Sequence, residues 1–214
     1  MRQIALLVEG QTEERVVAQV LAPAGWKQRH RAAAHRGVHL RDITAVGRGA
    51  TTTTSCDRCW RRSTGRRWAC VDLYGYPKGA PGRSGDQLQD WEKVTEALHA
   101  EYAFSRFNPL VVPHETEAWV LAAIDAGAGR DWLKPKQIAS LRAAIDEAGG
   151  PEKVNSRPDL APSKRLLAIR SDYSKVLHGP QWIAEVGLGA ILERCPVFAH
   201  WWGSLLSSAE QTEA

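Results

Sequence analysis

The chain has 214 residues, 43% hydrophobic and 24% charged, with a formal net charge of +4 and a pI near 9.0. That is enough apolar material for one packed domain, and no apolar run reaches the ~18 residues needed to span a bilayer. The N-terminus carries one Arg and then a strand, without the apolar core and cleavage site of a signal peptide. The expectation is a cytoplasmic chain with no membrane partner. Its cysteines, Cys56, Cys59, Cys70 and Cys195, are then thiols or ligands rather than disulfides.

The first element is an unbroken apolar run, Ile4 to Val8, which suits a strand buried on both faces of a parallel sheet. It ends at Glu9-Gly10 and gives way to a helical pattern, E-E-R-V-V-A-Q-V-L, for which Thr12 is a candidate N-cap. Open α/β sheets place their ligands at such strand ends. Gly37 to Val46 alternates well enough for a second strand. From Lys27 to Arg67 the chain carries eleven Lys and Arg residues against only Asp42 and Asp57. Such a block either tracks a phosphate backbone or is a solvated insertion. Its part from Gly47 to Cys70 has no clear period and is rich in Arg, Trp and Cys. A shifted reading frame within Gly25 to Cys70 would also produce that composition, and an intact frame on resequencing the DNA would remove this account.

Order returns at Ala69 to Tyr74, a short apolar strand that includes Asp72, followed by a Gly/Pro-rich loop over 75–85. The spacing of Leu88, Trp91, Val94, Leu98 and Tyr102 predicts a helix over Asp86 to Tyr102. Asn108 to Pro113 is a further strand, running into His114-Glu115-Thr116-Glu117. Helices are expected over Glu117 to Ala126 and Lys136 to Ala148. After a break at Gly149-Gly150-Pro151 come Ser163 to Arg170, Tyr173 to Leu177, Pro180 to Val186, Leu188 to Arg194 and Pro196 to Leu206. The domain reading is an α/β core over 1–126, with the basic insertion at about 25–70, and a helical extension over 127–214 packed on the same domain.

Three predicted strands thus lead into carboxylates: Glu9, Asp72, and Glu115 with Glu117. In a parallel sheet those ends share one edge, and clustered carboxylates are tolerated when a hard cation such as Mg2+ or Mn2+ bridges them. An ion so held activates water against a phosphodiester. Against this stands simple helix capping by each acid, which fits Glu117 and Glu115 better than Glu9 and Asp72.

The ordered set V-E-G-Q-T-E-E (Val8 to Glu14), D-L-Y-G-Y-P (Asp72 to Pro77), H-E-T-E-A-W (His114 to Trp119), P-S-K-R (Pro162 to Arg165) and C-P-x-F (Cys195 to Phe198) carries a resemblance. It resembles a bacterial family known as a domain of unknown function, family 4276, related to the Toprim domain of topoisomerases, primases and overcoming-lysogenisation-defect nucleases. The likeness covers nearly the whole chain except Gly25 to Cys70. It implies a Toprim-like (Rossmann-like) α/β fold, a mostly parallel sheet flanked by helices with a helical C-terminal part. It also implies a Mg2+- or Mn2+-dependent site with Glu9 as first-strand acid and general acid/base, and Asp72 as a metal ligand. Lys164 and Lys175 are the basic residues that the likeness places nearest the site.

One departure matters: Toprim domains carry D-x-D where this chain has Asp72-Leu73-Tyr74. A phenol protonated below about pH 10 is no substitute for a carboxylate on a hard metal, so Glu115 or Glu117 is expected to complete the shell. Lys164 is expected to neutralise charge on the scissile phosphate. Arg61, Arg62, Arg66, Arg67 and Lys175 are the candidate nucleic-acid contacts, and Trp60 and Trp68 could stack on bases. His35/His39 and Cys56/Cys59 have zinc-like spacing within each pair, but their reversed order and a strand position for His39 weigh against structural zinc. Cys70 and Cys195 read as packed thiols, and His114 as a buried hydrogen-bonded histidine or an orienter of Glu115. The functional expectation is a metal-dependent nuclease on DNA or RNA, in a phage-defence setting. The alternative is a catalytically weak nucleic-acid-binding or regulatory subunit beside an ATPase, and a zinc-stabilised interaction module comes third.

Overall fold

A computed structural model describes residues 5–8, 11–24, 44–45, 67–73, 76, 80–82, 91–101, 107–154 and 160–210. Glu9, Trp60, Arg61, Arg62, Arg66, Tyr74, the His35/His39 and Cys56/Cys59 pairs and nearly all of the basic stretch lie outside the described residues. For Arg67 and Trp68 only the backbone is described.

Four strands, β1 (Ala5–Val8), β2 (Thr44–Ala45), β3 (Arg67–Asp72) and β4 (Phe107–Val112), pair in parallel in the order β2-β1-β3-β4. Val8 stands beside Cys70, Cys70 beside Leu110, and Asp72 beside Val112. β3 starts two residues before its expected position and ends at Asp72: the Leu73 N–H still reaches the Val112 carbonyl at 3.2 Å, but the chain turns there. β4 holds Pro109 because it is the edge strand of the described sheet, where a missing N–H is tolerated. Successive side chains alternate between faces. Leu110 and Val112 join one buried cluster with Val8, Cys70 and Trp119, while Val111 joins another with Leu73, Tyr76, Val94 and Leu98.

That second face is covered by α2 (Trp91–Glu101), which turns Val94 and Leu98 inward. Gly82, at φ +78°, lies so close to α2 that an added Cβ would sit 2.6 Å from the Lys93 carbonyl oxygen. On the first face lie α1 (Gln11–Val16), continued by a π-helical stretch (Val17–Leu21), then α3 (Glu117–Ala126) and α6 (Lys175–Leu192). Every residue of α3 from Glu117 to Ile124 is buried, the pattern of a helix enclosed on all sides. Gly179 of α6 permits close approach to it, since a Cβ there would stand 3.3 Å from both Val120 Cγ2 and the Tyr173 hydroxyl.

The expected separate segments Tyr173 to Leu177 and Pro180 to Val186 are corrected by a helix that starts at Lys175 and runs through Pro180. Proline has no N–H for the carbonyl four residues back. That carbonyl, of Val176, instead accepts the Arg15 guanidinium at 3.0 Å, so α1 supplies the donor that α6 lacks. The helical run is broken only at Gly187, at φ 80° and ψ 161°. α4 (Pro135–Ala148), a 3-10 turn (Pro151–Lys153), α5 (Pro162–Ile169) and α7 (Pro196–Glu210) complete the described elements. The buried cluster that begins at Val8 and Cys70 continues without a seam at residue 126 through Leu141, Trp182, Ile191, Phe198 and Leu205.

Candidate functional site

β2 lies on one side of β1 and β3 on the other, so the strand order reverses between β1 and β3. In open parallel sheets the crevice for ligands opens at the C-terminal ends of the strands flanking that reversal. β1 ends at Val8, one residue before Glu9, and β3 ends at Asp72.

Beyond β4 the chain makes a tight turn in which His114 takes φ 77°. A left-handed conformation is uncommon for a residue with a Cβ, and such positions concentrate at functional sites. The imidazole is buried, and this lowers its pKa against the opposing pull of Glu115. Near neutral pH it is therefore uncharged. Thr116 then occupies the N-cap position of α3, but its side chain does not cap the helix. Its hydroxyl donates to Glu13 Oε1 at 2.7 Å and its backbone N–H donates to Asp72 Oδ1 at 3.1 Å. One residue thus ties an acid on α1 to the acid ending β3. Glu13 is 7% exposed and has no cation against it among the described residues.

The two glutamates flanking Thr116 point elsewhere. Glu115, 3% exposed, accepts the Ser163 N–H at 2.6 Å on Oε1 and the Lys175 ammonium at 3.1 Å on Oε2. Ser163 lies in the first turn of α5, so this carboxylate fills the anion position of a helix N-terminus. Glu117, 1% exposed, takes Lys175 at 2.9 Å on Oε2, and its Oε1 has no hydrogen-bond partner among the described residues. Burial pushes Glu117 up to about 7, with Lys175 pulling it down and Glu115 adding to the rise. Burial works against the Lys175 ammonium, yet Glu117 and Glu115 outweigh it and raise its pKa. Beside them, burial followed by the same two glutamates drives the Tyr173 phenol upward, so it remains a neutral hydroxyl.

The geometry decides what capping alone left open. Glu115 caps a helix, but α5 rather than the one it precedes. Glu117 sits at the start of α3 with its charge turned to Lys175. Lys175, expected to meet nucleic acid, is held by two carboxylates and keeps 41% of its side chain exposed. Lys164 lies exposed on α5, next to Ser163. The expected metal set Glu9, Asp72, Glu115 and Glu117 is represented by its last three members. Among the described residues no three Asp, Glu, His or Cys side chains are grouped so as to hold one ion. The expectations for Arg61, Arg62 and Arg66 fall outside the described residues. Cys70 and Cys195 are both buried, and burial raises the Cys195 thiol far above its ordinary value.

Sequence reasoning missed Glu13, Thr116, Ser163 and Tyr173 as participants. Glu13 and Thr116 lie inside two of the ordered motifs, but a glutamate in the first turn of a helix reads as a solvated residue until its burial is known. Four separate motifs, V-E-G-Q-T-E-E, D-L-Y, H-E-T-E and P-S-K, supply residues to the two sets of contacts that adjoin at Glu115-Thr116.

Among the described residues no helix is long and apolar enough to cross a membrane. No curated protein and no solved structure matches the chain. A family model does, over residues 8–206, a span that takes in every one of the acids above and the helices that hold them: the chain belongs to the family described as a domain of unknown function, DUF4276.

Proposed function

We propose that this protein is a Mg2+- or Mn2+-dependent phosphotransfer protein, a nuclease acting on DNA or RNA in a bacterial defence-type system, built on a Toprim-like α/β fold. The observation that carries the reading is the meeting of acids from distant parts of the chain at the strand-order reversal: Asp72 and Glu13 joined through Thr116, with Glu9 next in sequence after β1. Glu13 is a buried carboxylate with no cation against it among the described residues, and its oxygen chemistry suits a hard divalent ion. Glu9, Asp72 and Glu13 are the residues that would hold it. When bound, such an ion supplies Lewis acidity and a water acidic enough to attack a phosphodiester near neutral pH. The chain's own contribution is orientation. Thr116 fixes the Asp72–Glu13 spacing, Lys175 compensates Glu115 and Glu117, and Lys164 is the exposed base available to a phosphate. The basic stretch carrying Arg61, Arg62, Arg66 and Arg67 would track the polyanion.

A second reading has its own support. Tyr74 stands where a second aspartate would complete D-x-D, and the described residues contain no three-ligand group. On that reading the chain is a catalytically weak nucleic-acid-binding or regulatory subunit partnering an ATPase. Cleavage of labelled DNA and RNA with Mg2+, Mn2+ or EDTA, by wild type, Glu9→Ala and Asp72→Ala, separates the two. Metal-dependent cleavage lost in both variants supports the nuclease. Equal cleavage by all three proteins refutes it. No cleavage, with salt-sensitive binding that survives both substitutions, favours the regulatory subunit.

A further inference from the structure

Glu115 and Glu117 form a desolvated pair of carboxylates, and a buried pair of like charges needs a cation held in good geometry. It has one. Lys175 is the first residue of α6, and its ammonium stands 3.1 Å from Glu115 Oε2 and 2.9 Å from Glu117 Oε2. The pair is also pre-set from behind, because the Ser163 N–H occupies the other oxygen of Glu115 and fixes that carboxylate's plane. Two carboxylates flanking one cation is the arrangement by which a carboxylate-rich site bridges a divalent ion.

We propose that Lys175 is the resident cation of the Glu115–Glu117 pair, standing in place of a second divalent ion, so that the protein works with a single exchangeable metal. The inference rests on the metal-dependent reading above and narrows it. Three structural facts support it. The pair is closed to solvent while 41% of the Lys175 side chain remains exposed, so the cation comes to the pair from the solvent side. Glu117 keeps one buried oxygen with no partner among the described residues, leaving a donor atom for whatever replaces the ammonium. Asp72 and Glu13 are tied to Thr116 instead, so those two acids are held by contacts distinct from the ones that hold Glu115 and Glu117. Lys175 is then a positioning residue: it fixes Glu115 and Glu117 and keeps them from competing for the exchangeable ion.

Mn2+ titrated into metal-stripped protein, with free Mn2+ read by electron paramagnetic resonance, tests this without reference to activity. Lys175→Ala should bind one more Mn2+ per chain than wild type. Adding Glu117→Gln to it should abolish the extra ion, and Lys175→Arg should keep the wild-type count. A folded Lys175→Ala protein with the wild-type count overturns the proposal, as does loss of an ion from otherwise wild-type protein on Glu117→Gln alone. The second comparison needs no lysine variant and decides the matter if Lys175→Ala does not fold. Wild type that binds no Mn2+ overturns the metal-dependent reading and, with it, the single exchangeable metal inferred here. One ion in both wild type and Lys175→Ala overturns the inference alone and leaves the metal-dependent reading standing.

Discussion

Glu152→Ala isolates a single interaction that holds the C-terminal helix in place. α7 begins with Pro196 and is preceded by Cys195, a residue with no capping oxygen. Its first free N–H groups, on Val197 and Phe198, donate to Glu152 at 2.9 and 3.0 Å, a carboxylate 45 and 46 residues earlier in the chain. Hydrogen bonds to a charged acceptor contribute ~1.5–3 kcal/mol each, and losing a helix cap costs ~0.5–2 kcal/mol. Burial, which pushes the Glu152 carboxyl upward against these two donors, offsets part of that. A net loss of ~2–4 kcal/mol follows, or ~5–15 °C in Tm at ~2–4 °C per kcal/mol for a chain of this size. Glu152→Gln keeps one accepting oxygen and should lose about half as much. The readout is thermal and urea unfolding followed by tryptophan fluorescence, since Trp119 stacks on Phe198 at 4.2 Å between ring centroids. A Tm for Glu152→Ala within ~1 °C of wild type would show that the cap contributes nothing net.

Gly82→Ala should destabilise the fold by at least ~1–2 kcal/mol, from the left-handed φ alone, and more because its Cβ would meet α2 backbone at 2.6 and 2.7 Å; urea midpoints check it. Glu117 carries a pH signature. Its folded value of about 7 lies above the unfolded 4.5, so its contribution to stability is full below the unfolded value and is lost as pH rises through about 7. Glu117→Gln should therefore flatten the stability profile between those limits, by no more than ~3 kcal/mol, and parallel wild-type and variant profiles over pH 5 to 8 would rule that out. Thr116→Val removes the Glu13 bond but keeps the N–H to Asp72, and should weaken Mn2+ binding ~10–100-fold, as expected for a ligand-orienting bond. Thr116→Ser should restore it, and equal affinity in all three proteins contradicts the orienting role.

Much of the chain could be read from local pattern. The positions of β1, β4, α3, α4, α5 and α7 follow from apolar runs and helical spacing, because burial on one or all sides leaves a direct mark on composition. The acids at the ends of β3 and β4 were visible for the same reason: a charge that abruptly ends an apolar run stands out. Other features left no local mark. The unity of α6 across Pro180 depends on Arg15, 161 residues from Val176 in sequence, which satisfies the carbonyl that proline strands. Glu13 reads as a surface helix residue until the Thr116 hydroxyl is known to reach it. Lys175 was recognised as basic and close to the site, but its partners were assigned to a metal. Sequence spacing gives no account of whether a carboxylate faces an ammonium or an ion, since both satisfy the same electrostatic need.

The enclosure of α3 bears on how function fails when the protein is stressed. Glu117 and the turn before it are rooted in the segment with the least access to water in the described molecule, not in a loop that can fray. Amide hydrogens from Ala118 to Ile124 should therefore exchange with deuterium only through opening of the whole domain. Heat or denaturant should then disarm the acidic cluster and melt the chain in a single event.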